Sequence, residues 1–193
     1  PKAKEQKPDF KLAFAEKSDI NQVFMSIGHM GETFDLNERA KIRVFNSIFS
    51  SGFSSRLMNR VRVKLGLTYG IGGGIFTQYK YRGQVGFTTF TKAESTVQAM
   101  DAIVDEINKI RTGTVTEKEL QTAKDYFLNS QVFEYETPAD ILRTSMNNEF
   151  YGIPEDADKK FIEDVKKVTA ADIKEVANKY LHPDKMVIFM VGN

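Results

Sequence analysis

Hydrophobic and polar positions are distributed along this chain in a way that predicts both strands and helices. Two short apolar runs, residues 22–28 and 186–191, are typical of buried strands near opposite ends of the sequence. Residues 67–78 and 84–91 predict two further strands, the second because Val85, Phe87 and Thr89 alternate with Gln84, Gly86 and Thr88. The turn-forming residues 79–83 separate these two strands, so the pair predicts a β-hairpin.

The remaining segments repeat apolar residues every three or four positions, which predicts helices with one buried face. They lie at 40–49, 54–64, 97–110, 120–128, 161–168 and 173–180, with another helix starting at Pro138. Gly66 predicts the end of the second helix, because glycine readily ends a helix in the left-handed conformation. Side chains typical of helix starts precede five of the other helices: Asp35 with Glu38, Thr91 with Glu94, Thr116 with Glu119, Thr137 and Thr169. This order predicts an α+β fold, a mostly antiparallel sheet with helices packed on one face.

Composition narrows the function more than it narrows the fold. The chain has 193 residues, 41% of them hydrophobic, and a formal net charge of +1. Residues 1–9 are charged, contain proline and lack hydrophobic periodicity, which indicates a linker or expression boundary before a single domain at 10–193. The near-neutral charge argues against a nucleic-acid-binding protein, and no apolar run approaches the length of a membrane span. Because the chain has no cysteine, it has no disulfide and no cysteine ligand for a metal.

Two histidines make a self-contained zinc enzyme improbable. His29 and His182 are far apart in sequence, and a catalytic zinc ion usually needs three protein ligands. The segment that begins at His29 has a glutamate at Glu32, but Thr33 stands where an H-x-x-E-H motif needs its second histidine. The glycines near Gly70 do not form a nucleotide-binding loop either, because a strand rather than a helix is predicted after them.

Four cations lie close together at Arg56, Arg60, Arg62 and Lys64. They are consistent with a solvated basic face, with a nucleic-acid patch, or with groups that bind carbonyl or carboxylate oxygens near a cleft. Arg62 at the end of a predicted helix and Tyr69 at the start of the next strand could project two hydrogen-bond donors into one cleft. Their spacing alone fits a salt bridge and a packed aromatic side chain equally well.

Residues 52–69, GFSSRLMNRVRVKLGLTY, resemble a motif in the C-terminal, non-zinc-binding domain of the M16 (pitrilysin-type) zinc metallopeptidases. That family includes the mitochondrial processing peptidase and the core proteins of respiratory complex III. Its pattern is roughly G-x-S-S-R-L, an arginine a few residues later, and then G-L-x-Y. The matching positions are Gly52, Ser54, Ser55, Arg56, Leu57, Arg62, Gly66, Leu67 and Tyr69. The order of predicted elements extends the resemblance over nearly the whole chain.

The resemblance implies a LuxS/MPP-like metallohydrolase half-domain and a division of labour. A neighbouring domain or subunit would carry H-x-x-E-H and zinc, whereas this chain would hold no metal and would be inactive alone. Arg62 and Tyr69 would bind the peptide substrate and stabilise the oxyanion. The expected partners are therefore the zinc-binding M16 domain and a peptide, and the expected assembly is either a homodimer or a heterodimer. The alternative is a structural module like the core proteins, and the compartment, bacterial cytoplasm or periplasm, stays open.

Overall fold

One five-stranded sheet forms the centre of the molecule. The computed structural model describes residues 11–130 and 137–193, so the predicted linker at 1–9 lies outside the described residues. The sheet has the strand order β1-β5-β2-β4-β3, in which β1 and β5 are parallel and every other neighbouring pair is antiparallel. The strands are β1 Leu12–Glu16, β2 Val23–Met30, β3 Ile71–Phe76, β4 Gln84–Thr91 and β5 Val187–Gly192.

Helices fill most of the chain between the strands. The α-helices are α1 Arg39–Phe49, α2 Thr96–Thr112, α3 Glu117–Ser130, α4 Pro138–Tyr151, α5 Ala157–Lys167 and α6 Ala170–Tyr180. A π-helix spans Met58–Lys64, and short 3₁₀ turns lie at Ala93–Ser95 and Pro183–Lys185. Within the described ranges, no helix combines the length and the apolar character needed to cross a membrane.

The core lies between the helices and one face of the sheet. Val85 and Phe87 of β4 are buried there, and the ring of Phe87 meets Phe49 of α1 edge-on with ring centroids 5.4 Å apart. On the opposite face of the sheet, the rings of Phe24 and Phe90 contact each other with centroids 5.1 Å apart, and Phe90 is exposed. The predicted α+β architecture, with helices on one face of a mostly antiparallel sheet, is therefore confirmed.

Two strands differ from the sequence-based prediction. Strand β1 was not predicted, because most of its side chains are exposed and it pairs in parallel with the distant β5 at the sheet edge. The first strand of the hairpin is shorter than expected, beginning at Ile71 instead of residue 67. Thr68 accounts for the difference, because its hydroxyl accepts a hydrogen bond from the N–H of Gly70 at 3.0 Å and so turns the chain before β3.

The predicted helix starts are correct where the capping hydrogen bonds form. Thr137 caps α4, and Thr169 caps α6 through a reciprocal pair of bonds with Asp172. The capping box predicted for Thr116 and Glu119 also forms, at the start of α3. The capping boxes predicted at Asp35 and Thr91 are wrong. Asp35 accepts a hydrogen bond from the N–H of Asn37 instead of from the helix, and Thr91 donates its hydroxyl to the carbonyl of Leu67.

Candidate functional site

The motif segment 52–69 folds as a π-helix followed by a glycine stop. A short helical start at Arg56 leads into the π-helix, whose wide turns are shown by the 3.2 Å bond from the N–H of Leu65 to the carbonyl of Arg60. Leu57 and Val61 are fully buried and fix this segment to the core. Gly66 has φ +64°, so the predicted helix end is confirmed. Complete π-helical turns are rare and often occur at functional sites.

Two of the four clustered cations form ion pairs with carboxylates of the same chain. The guanidinium of Arg56 binds both carboxylate oxygens of Glu119, at 2.6 Å and 2.9 Å, and also the carbonyl of Thr114. Arg60 lies 3.8 Å from the carboxylate of Glu106. These pairs lower the positive charge that the segment presents to solvent, so the cluster does not form a four-cation patch.

Arg62 and Tyr69, the predicted substrate-binding pair, are left with free donors. The guanidinium of Arg62 lies over the ring of Phe53, 5.2 Å from its centroid, and Phe53 itself is 77% exposed. Tyr69 is 85% exposed. Neither side chain forms an ion pair or a hydrogen bond with the described residues, and no hydrogen bond joins the two. The structure places Arg62 in the last turn of the π-helix and Tyr69 two residues before β3, and their joint role stays a prediction.

A cavity of about 1120 Å³ lies between α1, α3, α4 and the end of β3, and no motif in the sequence marks it. Phe53 borders this cavity and also contacts Arg62, so the cavity adjoins the motif segment that carries Arg62. Its lining combines aromatic rings, side-chain amides and hydroxyl groups. A concave surface with a few polar groups among aromatic side chains is the usual form of a ligand site.

The charged groups of this cavity come from α1 and α5. Arg39 donates to the carboxylate of Asp158 at 2.8 Å and lies over the ring of Phe161, 4.5 Å from its centroid. Arg43, one helical turn further along α1, is exposed and forms no ion pair or hydrogen bond with the described part of the chain. Burial raises the pKa of Tyr79 in the cavity wall, which keeps the phenol protonated as a donor.

The free edge of β3 is closed by side chains of α1 and of Ser50, the residue that follows this helix. The amide of Asn46 donates to the carbonyl of Ile75 at 3.0 Å and accepts from the N–H of the same residue at 2.9 Å. The hydroxyl of Ser50 donates to the carbonyl of Gly73 at 2.8 Å. These bonds occupy the groups that another strand would need, so a peptide cannot pair with β3 at these positions without displacing them.

The two histidines meet although they are far apart in sequence. The ring of His29 lies 5.4 Å from that of His182, with Nδ1 2.8 Å from the carbonyl of Met30 and Nε2 accepting from the N–H of His182 at 3.2 Å. Burial lowers the pKa of His29, which favours the neutral ring that this arrangement needs. No group of three potential metal ligands occurs among the described residues, and both nitrogens of His29 are engaged. These residues do not fit a zinc site.

Comparisons with known proteins agree on one family. The family model described as the peptidase M16 inactive domain matches residues 1–127. The non-peptidase homolog YmxG of Helicobacter pylori is 23% identical over 179 residues, which cover 91% of this chain and 40% of that protein.

Among solved structures, a peptidase M16 inactive domain from Pseudomonas fluorescens is 28% identical with a TM-score of 0.85, covering 94% of this chain and 43% of that one. A protease from Helicobacter pylori shares the fold, with a TM-score of 0.81 at 15% identity and coverage of 94% and 44%. The chain spans less than half the length of these relatives.

Proposed function

Because this chain belongs to the peptidase M16 family as an inactive domain, we propose that it is the substrate-binding half of an M16-type zinc metalloendopeptidase. In this proposal the zinc-bearing half is a neighbouring domain or subunit, and the present chain closes over the peptide. The absence of a metal-ligand group among its described residues is compatible with that division of labour.

The observation that carries the proposal is the difference between neighbouring cations in one motif. Arg56 and Arg60 are paired with carboxylates, whereas Arg62 and Tyr69 keep their donors free at an exposed turn. In peptide hydrolysis, negative charge develops on the carbonyl oxygen of the scissile bond. A guanidinium and a phenol that reach this oxygen would hydrogen-bond it and stabilise the oxyanion. The chemical step itself would take place in the partner domain.

A second candidate function is a catalytically inactive structural or assembly module of the same family. It is favoured by the relative from Helicobacter pylori that is named a non-peptidase homolog. In such a module the motif would persist because Leu57, Val61 and the bond between Arg56 and Glu119 hold the π-helix in place. Arg62 and Tyr69 would then have no required partner.

Reconstitution with the zinc-bearing M16 partner separates the two functions. We expect the mixture to hydrolyse a peptide that neither component cleaves alone. Arg62→Ala should lower kcat by about 10²-fold, as the loss of an oxyanion donor does. Lys64→Ala is the matched control, because Lys64 is exposed on the same segment and forms no ion pair with the described residues. Equal turnover by wild type and Arg62→Ala would favour the structural module.

A further inference from the structure

Helix α4 is oriented opposite to an ordinary surface helix. Its polar side chains Thr144, Asn147 and Asn148 line the cavity, while its apolar stripe faces solvent. The stripe consists of Leu142, Met146 and Phe150, which are 60–66% exposed. A surface helix normally turns its apolar stripe towards the core. The amides and hydroxyls of α4 are therefore directed at the cavity, where they have hydrogen-bonding capacity for a ligand.

One wall of the cavity is aromatic. The ring of Tyr79 is stacked on that of Tyr151 of α4, with ring centroids 4.0 Å apart and an interplanar angle of 17°. The ring of Tyr79 also contacts that of Phe34, with ring centroids 4.4 Å apart. This wall offers a flat apolar surface to a side chain of a ligand. Burial raises the pKa of Tyr79, so this ring of the wall contributes no negative charge near neutral pH.

The charge of the cavity is set by α1. Three charged side chains line it, and two of them, Arg39 and Asp158, neutralise each other at 2.8 Å. Arg43 is left as the one unpaired cation of the described lining. A guanidinium in this position recognises a carboxylate well, because its N–H groups match the two oxygens.

We propose that this cavity binds a short peptide segment that carries a carboxylate. Arg43 pairs with the carboxylate, the stacked Tyr79 and Tyr151 hold a neighbouring side chain, and the amides of α4 bond the peptide backbone. Strand pairing with β3 is not the mode of binding, because Asn46 already occupies the N–H and carbonyl of Ile75. The cavity of about 1120 Å³ exceeds the usual range for small-molecule sites, about 300–1000 Å³, which favours several residues over a single amino acid.

The choice of a peptide as ligand rests on the proposed function, but the test needs no zinc-bearing partner. The intact chain is titrated in a calorimeter with Ac-Gly-Tyr-Glu-Gly-NH₂ and with Ac-Gly-Tyr-Gln-Gly-NH₂, which differ only in the carboxylate. We expect the glutamate peptide to bind about tenfold more tightly, as a charge-assisted hydrogen bond implies. Arg43→Gln should abolish this preference, whereas Arg143→Gln, an exposed arginine outside the cavity lining, should leave it unchanged.

A second variant tests the aromatic wall. Tyr151→Ala should weaken both peptides several-fold and keep the preference for glutamate, and the fold should survive because α4 contributes no buried side chain. Equal affinity for the two peptides, an unchanged preference in Arg43→Gln, or no binding at millimolar peptide would each overturn the proposal. Acetate that binds as tightly as the glutamate peptide would also overturn it, by assigning the cavity to a small anion. None of these results bears on Arg62, whose test is turnover of the reconstituted enzyme.

Discussion

The ion pair between Arg56 and Glu119 should be the main electrostatic contribution to the stability of the motif segment. The side chains are 19% and 30% exposed, and their geometry is bidentate. The carboxylate of Glu119 also accepts from the N–H and the hydroxyl of Thr116, both at 2.8 Å, in the predicted capping box of α3. Hydrogen bonding to Arg56 is the main cause that lowers the pKa of Glu119 from 4.5 to about 2.

The contribution of this ion pair to the free energy of unfolding follows from the lowered pKa of Glu119. A difference of about 2.5 pH units corresponds to about 3.4 kcal/mol of preference for the charged form in the folded state. Solvent screening of partly exposed groups reduces this value, and Thr116 retains part of it without Arg56. We therefore expect Arg56→Gln to lower the free energy of unfolding at pH 7 by ~1–2 kcal/mol. For a domain of this size the corresponding loss in Tm is ~3–6 °C.

The pH dependence of the free energy of unfolding tests whether the Arg56–Glu119 pair is the source of this stability. Because folding depresses the pKa of Glu119, its contribution is fully present above pH 4.5 and is lost as the pH falls towards 2. The difference between wild type and Arg56→Gln should therefore shrink over that range in urea unfolding followed by circular dichroism. Arg143→Gln, which removes an exposed pair with Asp140, is the control and should cost less than about 0.5 kcal/mol. A loss for Arg56→Gln that equals the control, or that does not change with pH, would refute this reasoning.

Burial lowers the pKa of His29 below 6.5, so the chain should lose stability as the pH falls below that value, whereas His29→Gln should not. Thermal unfolding at pH 7.5 and 5.5 checks this, with His182→Gln as a control that keeps the backbone N–H bonded to His29. Thr169→Ala removes the cap of α6 and should cost about 1 kcal/mol in urea unfolding; no change would contradict the role of the cap. Gly83→Ala would place its Cβ 1.7 Å from the carbonyl oxygen of Phe76 and should cost more than about 2 kcal/mol, so an unchanged Tm would exclude this close approach.

The capping residues in the sequence predicted some helix starts correctly and others wrongly. Thr116 with Glu119 forms the predicted capping box because both side chains reach the backbone within one turn. Thr91 carries the same signal, but its hydroxyl bonds the carbonyl of Leu67 across the hairpin, and α2 begins only at Thr96. A tertiary hydrogen bond thus overrides a local motif where the residue is buried against another segment.

The candidate site was predictable only in part. The motif identified Arg62 and Tyr69 by their positions, and their role remains a prediction. Arg43 carries no motif, and nothing in the sequence marks it as a binding residue. The apolar stripe of α4 at 142, 146 and 150 is visible in the sequence, but periodicity cannot tell whether such a stripe faces the core or solvent. The cavity follows from that orientation, so it could not be predicted.

The sequence by itself determined the α+β class, the closing strand, the helix end at Gly66 and the family of the chain, because these depend on residues a few positions apart or on a contiguous motif. Tertiary structure decided which charges remain available for binding. Arg56 meets Glu119 63 positions away, Arg39 meets Asp158 119 positions away, and His29 meets His182 153 positions away. The free energy of such contacts depends on distance and burial in the folded chain, which composition and spacing do not encode.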